Sequence, residues 1–216
     1  MHHRALEAYV AERAPQVVGS FASDVRILDV GCGDMPYRKF FEGGPRAVTY
    51  YEGADIAGAD GLANVSIDPA TQAIGAPSDR YDLVVSFQVL EHSSHPLTLL
   101  RECRRVLKPG GRLFATLPFF FEYHAVPRDF RRWTHEGIKE DLLDCGFEDV
   151  TVDPVETDLH SLMVVNELYL ARMFGYVVTK PLFLALNVAA LAARRLRTPQ
   201  HRIVPLTLGV TARRAG

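Results

Sequence analysis

The hydrophobic residues of this chain follow two patterns, short uninterrupted apolar runs and longer segments with helical spacing. Uninterrupted runs are typical of strands that a parallel sheet buries on both faces. In the segments between them, apolar residues recur every three or four positions, as on one face of a helix. The predicted strands are residues 25–30, 47–56, 64–67, 81–86, 112–117, 148–155 and 203–212.

Helices are predicted between these strands. The first covers residues 4–19, and the second covers 35–42 and ends at a Gly-Gly-Pro sequence. The third begins at Pro96 and ends at the Lys-Pro-Gly-Gly sequence 108–111. Its apolar face is expected to contain Leu97, Leu100 and Leu107. Strands and helices that alternate at this spacing predict an α/β fold with a doubly wound, mostly parallel sheet.

The most informative stretch is the Gly-Cys-Gly turn at residues 31–33, directly after the first strand. Two glycines at this spacing let the backbone turn tightly and approach a ligand closely. Asp29 ends the strand, at the edge where open α/β sheets bind ligands. An acid about 20 positions further on is suited to a ribose hydroxyl pair. Asp55 and Glu52 both qualify, and Asp55 is preferred because it lies at the end of the second strand.

A dinucleotide-binding fingerprint, GxGxxG, is the main competing interpretation of this turn. Its third glycine would stand at position 36, which is Pro36. Close packing between helix and strand needs a glycine there. A nicotinamide-dependent oxidoreductase is therefore disfavoured.

The composition is that of one domain with a sizeable core, 216 residues with 48% hydrophobic and 23% charged residues. Cys32, Cys103 and Cys145 lie far apart, which argues against a disulfide framework or a zinc site. We expect no metal site and a reducing, cytoplasmic environment. The first residues lack the apolar run of a signal peptide.

The net charge of −2 conceals an asymmetry along the chain. No acidic residue follows Glu167, whereas eight arginines and lysines do. This separation indicates contact with an anionic surface. The basic part overlaps two apolar segments with helical character, 159–175 and 181–193. The second has thirteen residues, too few for a bilayer, which needs about 20.

These segments predict a helical hairpin inserted before the last strand. The expected division is a core at 1–157, the insertion at 158–200 and the final strand at 201–216. Peripheral membrane contact through 159–202 fits the length and the charge. A homodimer interface, or a lid buried on the same domain, is the alternative.

Several sequence motifs occur in order and resemble the class I S-adenosylmethionine-dependent methyltransferases. They are LDVGCGD at 28–34, YDLVVSFQVLEH at 81–92 and RVLKPGGRLFATLP at 105–118. The resemblance is narrower to the group of ubiquinone and menaquinone methyltransferases and of small methyltransferases of glycan and lipid biosynthesis. It covers about residues 25–150. It implies a Rossmann-like, seven-stranded sheet and S-adenosylmethionine as cofactor.

The resemblance also implies which residues bind the cofactor. The turn and Asp55 should contact the methionine and ribose parts, and Ile56 the adenine. Asp68 and Pro69 should face the adenine amino group, although Asp68 could instead cap a turn. Phe87 could instead fill the core. The full set is Asp29, Gly31, Cys32, Gly33, Asp55, Ile56, Asp68, Pro69, Ser86, Phe87 and Gln88.

The loop after the fifth strand resembles the H-x-x-P-x-D-[FY]-x-R-[FWY]-T stretch of methyltransferases from polysaccharide and glycolipid gene clusters. His124 is the candidate base for an acceptor hydroxyl, because imidazole accepts protons near neutral pH. Asp129 and Arg131 would orient it or bind an anionic group. His92 is a candidate for catalysis or for a structural role. A salt-bridged lid without chemistry is the alternative, since alignment of the reactants can suffice for methyl transfer.

The expected function is methyl transfer to an oxygen or nitrogen of a small molecule, specifically a sugar or a lipid-linked glycan. A quinone or another lipid is the alternative acceptor. A SAM-binding, non-catalytic partner in a glycan-assembly complex is a second class. A nucleic-acid methyltransferase is disfavoured, because SFQV stands at 86–89 where a DPPY-like tetrapeptide would be.

Overall fold

A computed structural model describes residues 2–42, 48–56, 62–125, 128–155, 169–170, 173–175, 181 and 205–216. Its central sheet has seven strands in the order β3-β2-β1-β4-β5-β7-β6. Only β7 runs against its two neighbours, β5 and β6. The predicted mostly parallel, doubly wound sheet is therefore confirmed. The strands are β1 Val25–Val30, β2 Val48–Ile56, β3 Val65–Ile67, β4 Tyr81–Phe87, β5 Leu107–Pro118, β6 Phe147–Val155 and β7 Thr207–Arg214.

Helices cover both faces of this sheet, and each face has its own apolar core. The α1 side buries Val10, Phe41 and Phe114 in one cluster. The α3 and α4 side buries Leu100, Ile138 and strand residues in the other. Strands covered on both faces explain the uninterrupted apolar runs. The helices are α1 His2–Gly19, α2 Arg38–Glu42, α3 Pro96–Val106 and α4 His135–Asp144, with a 3-10 turn at Leu90–His92.

Two element boundaries differ from those predicted. Helix α2 begins at Arg38 rather than at residue 35, because Met35 has a left-handed φ of 54° that a helix cannot contain. Leu107 does not belong to the face of α3; it is the first residue of β5 and is fully buried. The predicted stop at 108–111 is a bulge within β5, since Tyr81 pairs with Leu107 and Leu83 with Arg112.

The last part of the chain is described only in pieces. Strand β7 begins at Thr207 and not at residue 203, and Pro205 precedes it. Most of the predicted hairpin at 158–200 lies outside the described residues. Of the parts that are described, Tyr169, Met173 and Phe174 are exposed. Among the described residues, no helix has the length and hydropathy needed to cross a membrane.

Helix α1 is held against the sheet by a close contact between Tyr9 and Gly209 of β7. The Tyr9 ring lies 6.1 Å from the ring of Phe114 on β5. A Cβ at position 209 would lie 2.0 Å from the Tyr9 hydroxyl oxygen. Only a glycine therefore leaves room for this ring over the sheet.

We expect Gly209→Ala to destabilise the protein by about 1–3 kcal/mol, because Tyr9 must leave its position over β7. Urea denaturation measures the free energy of unfolding. The control is the same substitution in a Tyr9→Ala background, where it should cost little. An equal cost in both backgrounds would exclude the tyrosine contact as the cause.

Candidate functional site

The described residues form a cleft of about 690 Å³ at the carboxyl ends of β1 to β4. This is the edge at which open α/β sheets bind ligands, and the volume suits a small molecule. Its lining comes from the ends of β2 and β3, from the segments that follow β1, β3 and β4, from α3 and from the loop after β5. The lining residues are Gly31, Gly33, Asp55, Ile56, Ile67, Pro69, Ala70, Gln72, Gln88, Val89, His92, Ser93, Ser94, Leu99, Arg128 and Phe130.

The glycine turn forms one wall of the cleft and is tied to the end of β2. The N–H groups of Gly31 and Cys32 both donate to the carbonyl of Ala54, at 2.8 and 3.2 Å. Gly31 has a φ of 72°, and a Cβ there would lie 2.4 Å from the Val89 side chain. Gly33 has a φ of 49° and open space beside it. Both glycines are therefore required by the backbone and not only by a ligand.

Asp55 stands at the mouth of the cleft. Its Oδ2 accepts a hydrogen bond of 2.9 Å from the Gly33 N–H, and Ile56 beside it is 40% exposed. Glu52, the alternative acid, is buried and accepts hydrogen bonds from Tyr81 and Arg80 instead. The structure therefore brings Asp55, and not Glu52, to the site.

Two of the predicted cofactor residues lie behind the turn and outside the cleft lining. The Asp29 carboxylate is 2% exposed and accepts a hydrogen bond of 2.7 Å from the Tyr51 hydroxyl. The pKa of Asp29 is raised to about 7, mainly by burial; the Tyr51 hydrogen bond lowers the pKa, and the nearby charge of Asp55 raises it. Cys32 is also buried, and burial raises the pKa of its thiol to about 12.

Asp68 and Pro69 follow directly after β3, and they differ in role. Asp68 Oδ1 accepts hydrogen bonds from the N–H groups of Ala70 and Thr71, which lower its pKa. Asp68 therefore caps this turn, which is the structural role that the sequence analysis gave as the alternative to contact with the adenine. Pro69 lines the cleft.

The residues at the end of β4 also divide between core and cleft. The Ser86 hydroxyl is buried and donates to the Val30 carbonyl. The Phe87 ring packs against the rings of Tyr37 and Phe114, at 4.8 and 5.3 Å between centroids. Gln88 alone of the three lines the cleft. It has a left-handed φ of 55°, and its Nε2 donates to Thr116.

The 3-10 turn after β4 and the loop after β5 bring two imidazoles together. The rings of His92 and His124 meet edge to face, with centroids 5.1 Å apart. His92 Nδ1 lies 2.5 Å from the Arg128 carbonyl, and His124 Nδ1 lies 3.0 Å from the Glu122 carbonyl. Carbonyls only accept, so both Nδ1 atoms carry hydrogen and both Nε2 atoms keep a lone pair when the rings are neutral.

The loop that carries His124 is held by Asp129. This carboxylate accepts two hydrogen bonds from Arg132, at 2.5 and 2.8 Å, and one of 2.9 Å from the His124 N–H. The Arg132 hydrogen bonds are the main reason that the pKa of Asp129 falls to about 2. The Arg131 side chain does not join this network; it donates to the Ser94 carbonyl at 3.1 Å.

Several residues of this site were not anticipated from the sequence, among them Arg132, Phe130 and Glu91. Arg132 is the partner of Asp129, and only the Arg-Arg doublet at 131–132 hinted at it. Phe130 lines the cleft, and its N–H donates to the Glu91 carbonyl. Glu91, the residue before His92 in the motif at 81–92, is buried beside both imidazoles.

Comparison with known proteins agrees with this geometry. The profile of a family described as "Methyltransferase domain" matches residues 1–148. A ubiquinone biosynthesis O-methyltransferase of Cereibacter sphaeroides is 31% identical over 137 residues, 54% of this chain and 52% of the relative. One from Pectobacterium atrosepticum is 30% identical over 143 residues, 58% of this chain and 50% of the relative. The chain thus spans about half the length of these curated relatives.

Solved structures show the same fold. A SAM-dependent methyltransferase from Archaeoglobus fulgidus has a TM-score of 0.58 at 18% identity, covering 96% of this chain and 94% of that one. Phosphoethanolamine N-methyltransferase 2 of Haemonchus contortus, in complex with S-adenosyl-L-methionine, has a TM-score of 0.60 at 14% identity. That match covers 95% of this chain and 52% of the other. At these identities the likeness concerns the fold alone.

The cleft fits S-adenosylmethionine chemically. The Asp55 carboxylate can accept hydrogen bonds from a ribose hydroxyl pair. Ile56 and Ile67 offer apolar surface for a purine, and the side of Gly33 is open to close approach. These residues would hold the cofactor by its nucleoside.

We expect Asp55→Ala to weaken S-adenosylmethionine binding by about 10- to 100-fold, the worth of hydrogen bonds to a charged acceptor. Isothermal titration calorimetry measures the Kd. Asp34→Ala is the matched control, since Asp34 is exposed and lies just beyond the same turn. Equal affinities in the two variants would exclude Asp55 from the site.

Proposed function

Because this chain belongs to the methyltransferase-domain family, we propose that it methylates a hydroxyl oxygen of an aromatic, lipid-tailed acceptor of the quinone type. The chain is a methyltransferase that depends on S-adenosylmethionine. Its relatives of about 30% identity are named for ubiquinone biosynthesis. The acceptor and its reacting atom are the proposed part.

One observation carries the proposal: the loop that carries His124 also carries three exposed aromatic side chains, and one of them, Phe130, lines the cleft. Phe120, Tyr123 and Phe130 are 46%, 72% and 43% exposed, and they belong to the loop after β5 that also carries His124. Exposed aromatic side chains near a site are suited to a flat, apolar ligand. A phenolic ring fits this surface better than a sugar, which needs several polar partners.

The chain's own residues can then remove the acceptor proton. When bound, the cofactor supplies an electrophilic methyl group. The acceptor hydroxyl gives its proton to an imidazole Nε2 as its oxygen bonds to the methyl carbon. His92 lines the cleft. The ring of His124 contacts the ring of His92 from the loop that Asp129 holds. The same groups align the acceptor, which by itself accounts for much of the rate.

The direct test supplies labelled S-adenosylmethionine with two acceptor fractions, phenolic quinone precursors and lipid-linked glycans. We expect label in the phenolic fraction as a methyl ether. Label confined to the glycan fraction would instead identify the sugar acceptor that the loop motif suggested, and label in neither would favour a non-catalytic SAM-binding role.

We expect His124→Ala and His92→Ala to keep S-adenosylmethionine binding and to lose turnover by about 10²- to 10⁴-fold, the usual worth of a general base. Calorimetry and steady-state kinetics separate the two effects. His135→Ala is the control, since that histidine lies in α4, outside the cleft lining. Unchanged turnover in the His124 variant would remove it from the mechanism.

Contact with a membrane surface through residues 159–202 belongs to the same proposal, because a lipid-tailed acceptor resides there. The basic excess after Glu167 and the exposed Tyr169, Met173 and Phe174 support it. We expect sedimentation with anionic liposomes at low salt, weakened when Arg194, Arg195 and Arg197 are changed to Gln. No sedimentation would argue decisively against membrane contact.

A further inference from the structure

Glu91 has a buried carboxylate that the proposed proton transfer does not yet use. The residue is 0% exposed, and neither side-chain oxygen has a hydrogen-bond partner among the described residues. An unpartnered buried carboxylate is costly, so such a group in a folded protein calls for an explanation. Its position beside the cleft suggests a functional one.

Four ionisable side chains surround this carboxylate. His92 Nε2 lies 3.8 Å from Glu91 Oε1. A carboxylate oxygen of Glu91 and one imidazole nitrogen each of His92 and His124 all lie within 4.8 Å of one another. From the loop after β5, Arg132 lowers the pKa of Glu91 and Asp129 raises it. Arg132 is already bound at both oxygens of Asp129. The imidazoles are therefore the groups that face Glu91 with a nitrogen available.

We propose that Glu91 is a positioning residue that stabilises the proton which His92 takes from the acceptor hydroxyl. This inference rests on the proposed methyl transfer. The acceptor O–H bond breaks and its proton goes to His92 Nε2; the oxygen electron pair forms the new O–C bond, and the electrons of the broken C–S bond stay on sulfur. The imidazolium then faces the Glu91 anion, and the proton leaves through the cleft.

The pH dependence follows from the burial of Glu91. Burial raises its pKa to about 7 from an ordinary value of 4.5. The anion that supports the imidazolium is therefore formed as the pH rises through 7, and turnover should rise with it. Because the folded pKa is raised, the stability contributed by the neutral carboxyl is complete below pH 4.5 and is lost as the pH rises through 7.

The test compares the wild-type protein with Glu91→Gln, which keeps the shape and removes the charge. Turnover should fall at least about tenfold, with a changed pH profile. Thermal unfolding should show that the wild-type protein loses stability as the pH rises from about 4.5 to about 7 and that the variant lacks this loss.

Two further variants make the result decisive. Glu140→Gln, at an exposed position of α4, is the matched control and should change none of these readouts. Glu91→Asp keeps the charge and should retain most of the turnover. Turnover that is unchanged in Glu91→Gln, or lost equally in Glu91→Asp, would overturn the inference.

A divalent ion held by the wild-type protein and lost in Glu91→Gln would also overturn it, because the three side chains would then bind a cation. The pH dependence of thermal unfolding needs no acceptor. It therefore fails or succeeds independently of the methyl-transfer assay.

Discussion

The site depends on the hydrogen bonds that join the glycine turn to the end of β2. One carbonyl, that of Ala54, accepts from both Gly31 and Cys32, and Asp55 accepts from Gly33. These bonds fix the wall of the cleft relative to the acid at its mouth. A side chain at Gly31 would displace Val89 on the opposite side of the turn, so the same glycine also places the end of β4. The cleft is therefore set by backbone contacts between neighbouring strands rather than by side chains that could adapt.

Buried carboxylates lie near this wall of the cleft. Their hydrogen-bond partners distinguish the acids with a structural role from the one with a proposed role in the reaction. Asp29 is bound by the Tyr51 hydroxyl, and Glu52 by Tyr81 and Arg80. Both acids brace β1, β2 and β4 from inside. Glu91 has a buried carboxylate without such partners among the described residues, and it faces two imidazoles. A buried acid without such partners next to the cleft is better explained by the charge that it offers to a protonated imidazole during the reaction than by stability.

The sequence predicted the order of the elements and the cofactor side of the site, because both depend on local patterns. Apolar runs mark strands wherever they fold, and a glycine turn followed by an acid at the next strand end is a short-range signal. The errors were also local. Leu107 continued the apolar spacing of α3 but belongs to β5, since a bulge at 108–111 absorbs the Gly-Gly pair that resembled a stop. Met35 looked helical, and only its backbone angle excludes it.

The acceptor side could not be predicted in the same way, because it is made by contacts between distant segments. Asp129 was predicted to orient His124 or to act on the substrate; its oxygens contact the backbone and the ring of His124, and Arg132, which was not predicted, binds both of them. Nothing in the residue types distinguishes Arg131 from Arg132, since the direction of each side chain depends on the loop. Likewise, His92 and His124 meet because the 3-10 turn and the loop after β5 converge on one edge of the sheet. Asp129 therefore contributes by holding one imidazole against the other. The carboxylate of Glu91 lies beside both rings and is the group that can stabilise a proton on them.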